Sequence, residues 1–169
     1  MPDLQSRSSV RNSTRRPPAG GVKRSRSAGT ADAAVAPRHI AMTPARILIV
    51  DDDADFRWLL LTLLEADSRV RVAGEAGDGE AAVDLVRQAG PSIVLMDLVM
   101  PRSDGLEATR RIKQAAPGTK VVVLSVLPDE PYRRMAQDSG ADVFLNKRDT
   151  VRALLPTIKL LSGGAAGAV

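Results

Sequence analysis

"SIVLMDLVMP" (92–101) and "KVVVLSVLP" (120–128) decide the fold. Each is an unbroken apolar run that stops at a single polar side chain, Asp97 in the first and Ser125 in the second. A strand with one solvated face alternates apolar and polar residues, whereas a strand covered on both faces does not. Both runs therefore read as interior strands of a parallel sheet. "RILIV" (46–50) and "DVFLN" (142–146) read the same way, while "VRVAG" (70–74) alternates and belongs at an edge. Amphipathic segments fill the gaps at 54–66, 79–89, 105–116, 130–139 and 149–161. This five-fold β–α alternation predicts an α/β fold: a doubly wound, flavodoxin-like parallel sheet of order 2-1-3-4-5, with helices on both faces and right-handed crossovers.

In such a sheet, ligands sit outside the carboxyl ends of the strands, near the point where strand order reverses. Asp51, Asp52 and Asp53 follow the first strand, Asp97 ends the third, Ser125 the fourth, and Lys147 follows the fifth. Taken singly, an Asp or Ser at a strand end is commonly a cap or turn residue, and Asp53 and Asp55 suit the N-cap and first turn of the helix beginning at Ala54. Taken together, the set points to chemistry. Carboxylates crowded within a few ångströms raise one another's pKa unless a cation compensates. Hard oxygen ligands without His or Cys favour Mg²⁺, which commonly bridges to phosphate oxygens. An ammonium and a hydroxyl alongside suit the oxygens of a phosphoryl group, and a carboxylate can itself accept that group as an acyl phosphate.

Composition narrows the class. The formal charge of +4 divides into +6 for residues 1–44 and −2 for the remainder, so the basic character belongs to the N-terminal segment. Residues 1–44, rich in Ser, Arg, Pro and Gly, are expected to be a disordered basic tail, 45–162 the folded domain, and 163–169 a flexible C-terminal tail. Translation from Met42 would omit most of the first tail. The start lacks the apolar core of a secretory signal, no run approaches a membrane span, and the absence of cysteine fits a cytoplasmic setting.

The motifs "ILIVDDD", "LMDLVMPRSDGLEATRRIK", "VVVLSV" and "GADVFLNK" resemble the response-regulator receiver family of two-component signalling, over residues 46–161. The resemblance implies phosphoryl transfer to Asp97 from a histidine kinase or a histidine phosphotransfer protein. It implies Mg²⁺ held by Asp52, Asp97 and the Val99 main-chain carbonyl, with Asp51 acting largely through water. Lys147 would hold one phosphoryl oxygen and Ser125 another, with Phe144 as the aromatic switch. The output would be a protein contact or onward transfer in a relay, through the surface of the last two helices and the strand between them, with a phosphorylation-dependent homodimer as a further form. With 22 residues after Lys147, the expectation is a stand-alone receiver that catalyses only its own phosphorylation and dephosphorylation, with no membrane and no nucleic-acid partner. Two rivals are an Mg²⁺-dependent phosphatase built on the Asp51/Asp53 pair and a DNA-associated regulator acting through the basic tail.

The sequence departs from the family pattern in places. Arg148 stands where proline often follows the lysine, so a trans Lys147–Arg148 peptide is expected. Val99 and Leu127, two residues beyond Asp97 and Ser125, are apolar and cannot orient an attacking water. In "ADFRWLLLTLLEA", Phe56, Leu59, Leu60, Leu63 and Leu64 form the expected core stripe, leaving Trp58 and Leu61 on a second face as candidate anchors for a docking partner. Gly140 is expected to end a helix in the left-handed region.

Overall fold

The computed structural model describes residues 43–163 apart from Arg102 and Pro128. The five apolar runs are the strands β1 (Ala45–Val50), β2 (Val70–Ala76), β3 (Ile93–Asp97), β4 (Lys120–Ser125) and β5 (Val143–Asn146). They form one parallel sheet in the order β2-β1-β3-β4-β5, as the alternation predicts. The alternating strand is indeed an edge. A register shift between Ile47 and Leu48 makes Ala73 an extra residue in β2, a bulge of the kind that edges tolerate.

Five helices cover the sheet: α1 (Ala54–Glu65), α2 (Gly79–Ala89), α3 (Gly105–Ala115), α4 (Asp129–Asp138) and α5 (Thr150–Gly163). Period-2 geometry sends alternate residues of each strand to opposite faces. Leu48, Val50, Val94, Met96, Val121, Val123 and Phe144 pack with side chains of α2, α3 and α4. Ile47, Ile49, Ile93, Leu95, Val122 and Leu124 pack with Leu60 and Leu64 of α1 and with Leu154 and Ile158 of α5. Two complete cores explain why Ile47–Val50, Ile93–Met96 and Val121–Leu124 carry no polar residue. Each fully buried aliphatic side chain contributes about 2 kcal/mol of transfer free energy.

Local signals set the ends. Asp53, Asp78 and Asp104 cap α1, α2 and α3 through their carboxylates, and Gly140 after α4 has φ +92°. A short antiparallel hairpin, Val99–Met100 with Ser103–Asp104, lies between β3 and α3 and has no counterpart in the sequence reading. A one-turn 3-10 segment, Lys147–Asp149, leads into α5, which continues to Gly163 and so takes in the first residue assigned to the C-terminal tail. The expected basic tail up to residue 42, Met42 itself, and 164–169 lie outside the described residues.

One expectation about α1 is corrected. Trp58 is 67% exposed, but Leu61 is half-buried and packs on the core beside Val70 and Val72. Counting 100° per residue from the buried pair Leu60 and Leu64, Leu61 lies nearer the core stripe and is the one covered, although Trp58 stands only about 60° beyond it on the same side of the helix.

Candidate functional site

The register brings the polar residues together. Val50 pairs with Met96, so Asp51 and Asp97 are the next residues at adjacent strand tips; Asp97 pairs with Leu124, and Ser125 with Asn146. Lys147 follows at once. Its Nζ lies 2.6 Å from Asp51 Oδ2 and 3.1 Å from Asp97 Oδ2, bridging two buried carboxylates. Asp51 Oδ1 accepts from the Asp53 N–H at 3.0 Å, whereas the buried Oδ2 makes no directed hydrogen bond beyond its ion pair with the ammonium. Asp97 Oδ1 is 3.5 Å from the Val99 N–H.

Asp51, Asp52 and Asp97 each bring a carboxylate oxygen to within 4.8 Å of the others, Asp52 from the exposed side. Three hard carboxylate donors of this kind, two of them buried and neutralised by the Lys147 ammonium, fit Mg²⁺. The hairpin is compatible with the fourth donor. The Gly105 N–H donates to the Leu98 carbonyl, so Val99 occupies the non-hydrogen-bonded position of the ladder and its carbonyl is not consumed there. Asp53 does not join the cluster; its Oδ1 accepts from the Asp55 and Phe56 N–H groups at 2.9 and 3.3 Å as the α1 cap. The pair required by the phosphatase rival is therefore not assembled.

Burial, and after it the neighbouring Asp51 carboxylate, pushes the Asp97 carboxyl up to about 6 from 3.8, against the opposing pull of Lys147. A raised carboxyl pKa means the native state holds a proton that the unfolded chain has released, so this group's contribution to stability falls as pH rises from about 4 to about 6. Asp97→Asn is accordingly expected to stabilise the metal-free protein by on the order of 1–2 kcal/mol at pH 8 and to change little at pH 4. Urea midpoints of both proteins at the two pH values, in chelator, measure it. A variant less stable than wild type at pH 8 would show that the Asp97 charge is not a cost to the fold.

Ser125 is buried, and its Oγ accepts from the Leu127 N–H at 3.0 Å. Phe144 is also buried, with the Arg133 guanidinium 5.1 Å from its ring centroid. The Lys147–Arg148 peptide is trans, as expected. Three participants escape the sequence reading. The Phe56 ring, assigned to the core stripe, lies under the Lys147 ammonium, 4.5 Å from centroid to Nζ. Arg57 donates to the Asp51 carbonyl at 2.8 Å and pairs with Glu75. Asn146 caps the 3-10 turn, for which a cap-type residue before "KRD" was the available signal.

Comparison with known proteins agrees with the geometry. Residues 47–159 match the response regulator receiver domain, and the chain belongs to that family. The chain is 37% identical over 121 residues to the transcriptional regulatory protein DegU of Brevibacillus brevis, covering 72% of this chain and 51% of that protein. It is 51% identical over 106 residues to protein-glutamate methylesterase/protein-glutamine glutaminase 4 of Myxococcus xanthus, covering 62% and 30%. Among solved structures, the response regulator domain of Thermotoga maritima CheB superposes with a TM-score of 0.66 at 29% identity, covering 71% of this chain and 97% of that one. The chain thus spans about half or less of the length of these two curated relatives. Among the described residues no helix is long and apolar enough to cross a membrane.

Proposed function

We propose that Asp97 accepts a phosphoryl group from a phosphohistidine on a histidine kinase or histidine phosphotransfer protein, and that the acyl phosphate switches a protein-interaction surface or passes its phosphoryl group onward. The observation that carries this is Lys147 bridging Asp51 and Asp97 at 2.6 and 3.1 Å beside a third carboxylate. In the transfer, an Asp97 carboxylate oxygen forms the new bond to phosphorus, the donor's P–N bond breaks, and the imidazole nitrogen keeps the electron pair. Asp52, Asp97 and the Val99 carbonyl, with Asp51 nearby, would hold Mg²⁺, which would supply neutralising charge for the carboxylates and phosphoryl oxygens. Lys147, already within reach of Asp97, pairs with a phosphoryl oxygen once the carboxylate is modified. Ser125, whose Oγ accepts from the Leu127 N–H at rest, turns to donate its O–H to another phosphoryl oxygen, and that displacement biases a pre-existing equilibrium. Phe144 turns with it, and the readout lies on α4, β5 and α5, toward another protein or a second copy of the chain.

Trp58, the exposed member of its pair with Leu61, is the candidate anchor for the phosphodonor. The proposed setting is the cytoplasm. Transfer from a phosphorylated histidine donor tests the donor class: label should leave the donor in the presence of wild type and stay on it with Asp97→Ala. The apolar Val99, 57% exposed, and half-buried Leu127 give water no hydrogen-bonding guide, so the acyl phosphate is expected to persist. Val99→Asn should hasten phosphate release by roughly tenfold, the worth of one added hydrogen bond to the attacking water; an unchanged release rate would remove this explanation.

A second reading comes from the relatives. The expectation of no nucleic-acid partner finds no support in DegU, a transcriptional regulatory protein. If the full chain reads DNA, phosphorylated protein will retard a labelled fragment in a salt-dependent way.

A further inference from the structure

Asn146 ends β5 one residue before Lys147, and its carboxamide touches two loops. Oδ1 accepts from the Arg148 N–H at 3.0 Å, capping the turn that carries the lysine. Nδ2 donates to the Leu127 carbonyl at 3.3 Å. The Leu127 N–H in turn donates to Ser125 Oγ at 3.0 Å. A single half-buried side chain therefore joins the turn bearing the ammonium to the loop bearing the hydroxyl. The first of these bonds depends on the residue at 148. Proline has no N–H, so Arg148 supplies a donor that the more common lysine–proline pairing would lack. The carboxamide and the arginine together set the path of the chain after Lys147.

We propose that Asn146 is a positioning residue for phosphoryl acceptance: it pins the Ser125–Leu127 loop to the Lys147 turn and holds the Ser125 hydroxyl in its Leu127-bound, resting orientation. This inference rests on Asp97 being a phosphoryl acceptor. In this proposal the Ser125 hydroxyl leaves the Leu127 N–H as it turns to donate to a phosphoryl group on Asp97, and the loop carrying the Leu127 carbonyl moves away from Nδ2 with it. A contact made in the resting state alone weights the equilibrium against the phosphoryl-bound one. Removing one neutral hydrogen bond of this kind shifts the balance by roughly fivefold.

Asn146→Ser and Asn146→Thr separate the two bonds, since a hydroxyl still caps the Arg148 N–H but is too short to meet Leu127. The full chain is titrated with beryllofluoride in the presence of Mg²⁺, while the Leu127 and Arg148 amide resonances are followed. The expected result is a displaced Leu127 resonance, an Arg148 resonance near its wild-type position, little change in melting temperature, and beryllofluoride binding tighter by roughly fivefold. If wild type binds but both variants leave the affinity and the Leu127 resonance unchanged, the role of Asn146 is overturned and the phosphoryl-acceptor reading stands. Weaker binding with a lowered melting temperature also overturns it, because the side chain is then merely structural. A wild type that takes up no beryllofluoride overturns the acceptor reading and this proposal with it.

Discussion

Gly105→Ala is expected to destabilise the protein by about 3 kcal/mol or more and to abolish phosphoryl uptake in whatever fraction remains folded. The reason is steric. A Cβ at Gly105 would fall far inside van der Waals contact with the Asp97 carbonyl oxygen and 3.0 Å from that of Leu98. Both obstacles are backbone, so no side chain can swing aside. Relief requires moving either the first turn of α3 or the end of β3, and the end of β3 is Asp97 itself. The Gly105 N–H bond to the Leu98 carbonyl would break with either movement. Chemical denaturation and phosphoryl uptake measured on the same preparation test this together. A stable Gly105→Ala variant with normal uptake would mean that the close approach of α3 to the strand is not required.

Lys147→Met should be nearly as severe in the absence of metal, for an electrostatic reason. The ammonium is the cation that spans Asp51 and Asp97, both almost fully buried. Removing one partner of a buried ion pair leaves charge without compensation, at a cost of about 3 kcal/mol. The loss should shrink on acidification, because Asp97, already pushed up to about 6 by burial and by Asp51, takes a proton more readily once the ammonium is gone. Mg²⁺ should recover much of the stability at pH 8, but phosphoryl uptake should stay depressed, since the positive charge placed for the incoming oxygens is missing. Denaturation curves at pH 5 and pH 8, with and without Mg²⁺, distinguish this from simple loss of packing against Phe56. A packing defect would ignore both pH and metal.

The sheet was legible because two-sided burial writes itself into β1, β3 and β4 as nearly unbroken apolar runs, and because Asp53 marks where α1 starts. Asp51, Asp52, Asp97, Ser125 and Lys147 were legible for a related reason: each stands where such a run stops. What escaped depends on contacts between elements. Periodicity places Phe56 on the buried side of α1 but cannot say that its ring faces Lys147 and not an aliphatic neighbour. Leu61 and Trp58 are three residues apart on one helix, yet β2 reaches far enough round α1 to cover the first and leave the second bare. Asn146 looked like the last residue of a strand, and its two hydrogen bonds exist only because the loops after β4 and β5 meet. The hairpin at Val99–Met100 is two residues per strand, too short to carry a period.

Asp97 as the acceptor is the claim on which the rest turns, and intact-mass measurement after incubation with acetyl phosphate and Mg²⁺ tests it without needing the natural donor. Wild type is expected to gain a single phosphoryl group, lost on standing at alkaline pH as an acyl phosphate should be, and Asp97→Ala is expected to gain none. Equal uptake by the variant, or no uptake by wild type, would contradict the account.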